Sequence, residues 1–193
     1  CLGLPESELQ RHIAYDIGAA GMSRLLAKAL DAPLILSGYS RLLVDCNRPV
    51  QSPTLMPVVS ETTEIPGNRN LSRDEIDARL NAFYWPFQNA VSALLDARKA
   101  RGQETILLAM HSFTPVFKGF VRPWHAGLLF RKSERLGELL VQRLNAPHRL
   151  VEANQPYQIS DDGDYTIPVH GEARGIERSE EHTSELQSHA CIS

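Results

Sequence analysis

Cysteine is scarce in this chain of 193 residues: Cys1, Cys46 and Cys191 are odd in number and widely spaced. They suggest neither a disulfide framework nor a cysteine-built zinc site, and they suit a reducing, cytoplasmic compartment. Charge of one sign is missing too. Twenty basic residues stand against 23 acidic ones, a net charge of -3, so no field draws the chain to nucleic acid or to an anionic membrane. No apolar run approaches bilayer-spanning length, and no charged-then-apolar leader opens the sequence. Phosphate-binding glycine loops, a nucleophile-elbow serine, a paired-histidine zinc helix and a zinc ribbon are all absent. The 42% hydrophobic content is ordinary for a globular domain, and the length allows a substantial core.

What is present is an alternation of strand-like and helix-like stretches. Leu9, Ile13, Ile17, Leu25, Leu26, Ala29 and Leu30 recur on one helical face, predicting a helix over about Glu6 to Leu30, loosened near Gly18 and Gly21. On that helix His12 and Asp16 are four residues apart and share a face, as a solvated or capping pair or as metal ligands. Two short strand-like runs follow at 33–37 and 42–45, the second ending in Asp45-Cys46-Asn47-Arg48-Pro49. The 51–70 stretch, rich in Pro, Thr, Ser and Asn, is too long for an ordinary connection and reads as a functional loop or lid. Ser72 and Glu75 form a capping-box pattern ahead of an apolar stripe from Ile76 to Leu95, which Pro86 should kink.

The run from Ile106 to Met110 reads as a buried strand, closed by His111-Ser112-Phe113-Thr114-Pro115. Ligands collect beyond the carboxyl ends of strands in open α/β sheets, the place where His111 would stand. Such a histidine can act as a metal ligand, a general base or an oxyanion donor, or merely cap the strand end. A further strand at 126–130, a helix over 133–145, a strand at 150–153 and an extended piece at 165–170 complete the pattern. The strand-end polar groups are then His111, Asn47 with Arg48, His125, Asn154 and His170. An arginine fork beside an asparagine amide matches a carboxylate, with Arg41 near in sequence; a surface arginine before a turn-forming proline is the plainer reading. Ser112 has no evident triad.

Residues 178 to 189 read RSEEHTSELQSH, a string that resembles the translation of a sequencing-library adapter. The expected division is a single, incomplete domain over 1–177 and a disordered tail over 178–193, which removes His182, His189 and Cys191 as ligand candidates.

The segments RHIAYDIGA, YSRLLVDCNRP, IPGN, HSFTPV, RPWHAGLLF and NQPY, in that order, resemble the N-formylglutamate amidohydrolase family. The resemblance implies a three-layer α/β/α domain with a central mixed sheet, of the phosphorylase/hydrolase-like, zinc carboxypeptidase-like type. It implies hydrolysis of the formyl amide of a small N-formyl amino acid by zinc-activated water, without a nucleic-acid or membrane partner. By position it makes His111 a metal ligand, and it makes Asn47 and Arg48 the carboxylate clamp, with Arg41 assisting. His12 and Asp16 match the motif without a defined role. The family's first histidine loop would precede Cys1, and its closing catalytic glutamate would follow Ile176, so the chain is expected to be a fragment with little turnover. The alternatives are a non-catalytic carboxylate-binding module and an inactive fragment. Oligomeric state is left open.

Overall fold

The computed structural model describes residues 2–161 and 163–184, the last eight of these as backbone only. In chain order the helices are α1 (Glu6–Leu9), α2 (Ala19–Leu30), α3 (Arg73–Arg79), α4 (Trp85–Ala100) and α5 (Glu134–Leu144). The strands are β1 (Val59–Ser60), β2 (Thr63–Glu64), β3 (Ile106–Phe113), β4 (Val116–Phe117), β5 (Phe120–Val121), β6 (Ala126–Leu129), β7 (Val151–Ala153) and β8 (Glu177–Ser184). They sort into two compact units, each discontinuous in sequence: residues 1–15, 35–104 and 162–166, and residues 16–34, 105–161 and 167–193.

The first unit is built on loops and one broken helix. Ser72 and Glu75 close the capping box at the start of α3, satisfying two of the free amides of the helix end. The expected kink is a π-helical turn over Leu80–Tyr84, immediately before Pro86. Proline has no amide hydrogen and its ring collides with the carbonyl four residues back, and widening the preceding turn relieves both problems. The bulge sends Tyr84 into a core with Val44, Cys46, Leu55 and Leu80; Leu4, Ile13, Ala14, Leu42 and Ile65 form a second cluster. The long 51–70 connection is tied down rather than lid-like. Buried Asn68 donates its amide to the carbonyls of Leu42 (2.8 Å) and Pro57 (2.7 Å) and accepts from Arg79 (2.6 Å).

The second unit carries a four-stranded mixed sheet in the order β3-β8-β6-β7. β3 pairs parallel with β8, β8 antiparallel with β6, and β6 parallel with β7. Ala109, Leu129, Ile159 and Ile167 pack one cluster; Ala126, Leu128, Phe130 and Val151 pack another against Leu140, Val141 and Leu144, of which α5 carries all three. Gly127 lies on β6 where the chain crosses it closely: a Cβ there would stand 1.6 Å from the backbone oxygen of Gln155.

Four local expectations are corrected. The helix expected over 6–30 is two helices, because the backbone turns at Gly18, whose φ of 80° is left-handed and costs glycine little. Residues 33–37 and 42–45 are irregular, without a sheet partner among the described residues. Thr166–Gly171 is a π-helical turn rather than an extended piece. β3 runs on to Phe113, so His111 lies within the strand rather than beyond it. The segment set aside as a tail begins as strand: Glu177–Ser184 occupies the slot between β3 and β6, pairing two backbone edges that would otherwise be open. Glu185 to Ser193, including His189 and Cys191, and Cys1 lie outside the described residues. No helix among the described residues is long and apolar enough to cross a membrane.

Substituting Gly127→Ala should destabilise the protein by more than the ~1–3 kcal/mol usual for overpacking, since the obstacle is backbone and has no rotamer to yield. Urea unfolding monitored by circular dichroism measures this; an unchanged midpoint would contradict the close crossing of β6 by Gln155.

Candidate functional site

In the first unit the residues from Arg41 to Arg48 fold around one carboxylate. The Asp45 side chain is only 11% exposed, and its Oδ1 accepts the amide of Asn47 (2.9 Å). Its Oδ2 lies 3.4 Å from Arg41 Nε and 3.8 Å from Arg48 Nε. Arg48 also lies 3.9 Å from Asp164. These are loose ion pairs of partly exposed guanidiniums. The sequence-predicted Arg41 and Arg48 are thus brought together, held on one buried acid.

Asn47 is engaged differently from expectation. Its Nδ2 donates to Asp164 (3.2 Å), and its Oδ1 accepts the backbone amides of Tyr165 (3.2 Å) and Thr166 (2.9 Å). The side chain therefore fastens the 164–166 segment beside Arg48. From behind, the Tyr84 hydroxyl donates to the Arg48 carbonyl (2.9 Å), and Gln88 donates to the Cys46 carbonyl (2.7 Å). Burial and neighbouring Tyr165 push the Tyr84 pKa far up, so it remains a donor throughout the working pH range.

In the second unit His111 Nδ1 meets Asp16 Oδ2 at 2.6 Å, with the two side chains 16% and 17% exposed. A carboxylate at that distance holds the proton on Nδ1, which makes Nε2 the basic nitrogen of the ring. This is the arrangement of a histidine prepared either to take a proton or to ligate a metal. Asp16 itself sits ahead of α2, its carbonyl accepting the Ala19 amide (3.2 Å). The pairing expected between His12 and Asp16 is replaced by this one. With the helix broken before Gly18, His12 instead stands 3.1 Å from Glu61, out of line for a hydrogen bond.

Of the remaining strand-end groups, two accept backbone amides and the third is buried. His125 Nδ1 accepts the Leu150 amide (2.9 Å), Asn154 Oδ1 accepts the Phe130 amide (2.9 Å), and His170 is buried in its π turn. Ser112 Oγ is buried with no partner among the described residues, and alternation along β3 puts it on the face opposite His111. Burial lifts the Cys46 thiol to about 11. As a metal centre, His111 with Asp16 fits one ligand and its orienting carboxylate. Among the described residues no group of three or more His, Cys, Asp and Glu gathers, so the pair fits in kind and not in number.

Sheet, helices and a carboxylate-held histidine define a mixed α/β hydrolase-like protein. The chain belongs to the N-formylglutamate amidohydrolase family, whose model matches residues 2–180. It is also similar to the crystal structure of a gene product from Agrobacterium tumefaciens: the TM-score is 0.91 at 35% identity, over 98% of this chain and 78% of that one. Comparison with curated proteins returns no match. Local sequence pattern did not disclose the Asp16–His111 pair, Asp164, or the support from Tyr84 and Gln88. Their separations in sequence are long, and only the polar character of each residue was visible.

Cys46, despite its place between Asp45 and Asn47, should not behave as a nucleophile. With its thiol at about 11, only ~0.1% is thiolate at pH 8. Site-resolved alkylation should leave Cys46 unmodified in the folded protein and label it after denaturation; ready labelling at pH 8 would refute its burial.

Proposed function

We propose that the protein hydrolyses the formyl amide of N-formyl amino acids, converting N-formylglutamate to formate and glutamate. The observation that carries this reading is the 2.6 Å contact between His111 and Asp16, within a chain of the N-formylglutamate amidohydrolase family. Amide hydrolysis needs a base to take a proton from water and a site that fixes the substrate. Asp16 keeps the His111 proton on Nδ1, so the Nε2 lone pair is the one that would face a metal. The family resemblance makes Arg48, with Arg41, the residues that take the substrate carboxylate. Asn47 acts mainly by anchoring the segment beside Arg48, with its second amide hydrogen the one that a carboxylate would take. Zinc is the cofactor we assign: His111 is the residue of this chain that would hold it through Nε2. When bound, the metal supplies polarisation of the amide carbonyl and a more acidic water.

Formate release from N-formylglutamate tests the assignment. His111→Ala should lower kcat/KM by ~100-fold or more, with bound zinc falling alongside. Asp16→Asn should lower kcat while His111 remains, and Arg48→Gln should act chiefly through KM, by about tenfold. Zinc chelation should abolish turnover. Activity indifferent to His111→Ala and to the chelator would remove both from the mechanism, and an absence of formate from every N-formyl amino acid would favour a non-catalytic carboxylate-binding module.

A further inference from the structure

A second guanidinium, outside the Arg41–Arg48 loop, is built for an anion that the described residues do not supply. Arg122 follows β5 and is only 8% exposed. Its backbone amide donates to the Pro115 carbonyl (2.8 Å), which folds the β4–β5 hairpin back over the end of β3. The guanidinium carbon stands 4.9 Å from the ring centres of Phe117 and Tyr157 and 5.5 Å from that of Phe113. Nη1 donates to the Thr114 carbonyl (3.0 Å) and Nη2 to the Tyr157 hydroxyl (2.8 Å).

A buried charge is ordinarily met by a carboxylate, and even Arg131 of the same unit, with its side chain 31% exposed, is met by Glu172 at 2.7 Å and Asp161 at 2.8 Å. Among the described residues Arg122 has no such partner, and its remaining N–H groups have no protein acceptor. Aromatic faces attract a cation and fix its plane, but they do not fill its donors. The result is an oriented fork with room for a two-point contact.

Its position says which molecule brings the anion. β3 and β8 stay in unbroken register from Ile106 to Phe113, so His111 and Phe113 project from the same face of β3. They are separated by roughly 7 Å along the strand. The guanidinium packed on Phe113 thus lies just beyond His111, on the side of the strand where His111 would act. We propose that Arg122 is the residue that selects an acidic side chain, by pairing with the side-chain carboxylate of the N-acyl amino acid. This inference rests on the amide-hydrolase reading above. A neutral side chain there would leave a buried cation unpaired, which is how a site rejects the uncharged analogue.

The test compares N-formylglutamate with N-formylglutamine, which differ only in that group, using the full chain. Arg122→Gln should lower kcat/KM for the glutamate substrate by ~100-fold, mainly through KM, and change the glutamine substrate by no more than ~3-fold. Arg122→Lys should recover part of the loss. An equal fall for both substrates, or no change in either, would overturn the proposal. Should Arg122→Gln fail to fold, Tyr157→Phe keeps the charge and removes one contact that orients it. It should weaken the glutamate substrate alone, and an equal effect on both substrates, or none, again refutes the idea. If the wild-type protein releases formate from neither substrate, the hydrolase reading fails, and calorimetric titration with glutarate decides the anion site separately. Binding weakened by Tyr157→Phe or Arg122→Gln supports it; binding unchanged by either, or absent in the wild type, overturns it.

Discussion

The pairing of Asp16 with His111 joins two residues 95 positions apart, the turn ahead of α2 and the interior of β3. An imidazole held mostly out of water has two nitrogens of opposite character, and the carboxylate decides which one keeps the proton. A bond of this kind fixes the tautomer and helps to fix the ring orientation. The surrounding elements of the second unit serve that fixed geometry: β3 is paired by β8 along its whole length, α2 begins directly after Asp16, and Ala109 beneath His111 is packed by Leu129, Ile159 and Ile167.

The first unit gathers two cations around one acid. Asp45 is nearly buried, and Arg41 and Arg48 approach it at 3.4 and 3.8 Å. Rigidity comes from the backbone. Tyr84 and Gln88 fasten the carbonyls of Arg48 and Cys46, and they can do so because the π turn before Pro86 rotates Tyr84 into the core. Arg79 reaches the carbonyls of Leu43 and Gly67 as well as Asn68, so one side chain secures both the start of the arginine loop and the end of the long connection. Polar groups that cannot reach water are satisfied by one another, and the loop keeps its shape without a strand on either side.

β8 poses the sharpest question about folding. A strand flanked on both edges usually carries apolar side chains, and Glu177–Ser184 reads ERSEEHTS. Its backbone nonetheless completes the ladders of β3 and β6. Hydrogen-bond pairing of the neighbours, not hydrophobic preference of the segment, accounts for its placement, which is why composition pointed to a tail.

Read by itself, the sequence determined the α/β class, the capped helix at Ser72, the strand through Ile106–Met110, and the family. These follow from short-range periodicity, capping chemistry and ordered motifs, all of which act within a few residues. Tertiary structure alone decided that His111 is met by Asp16 rather than standing at a strand end, and that Asn47 fastens residues 164–166. It alone showed Arg122 buried among three aromatic rings without a described carboxylate. Burial and partner choice depend on which distant segments the fold brings together, and local pattern carries no record of that.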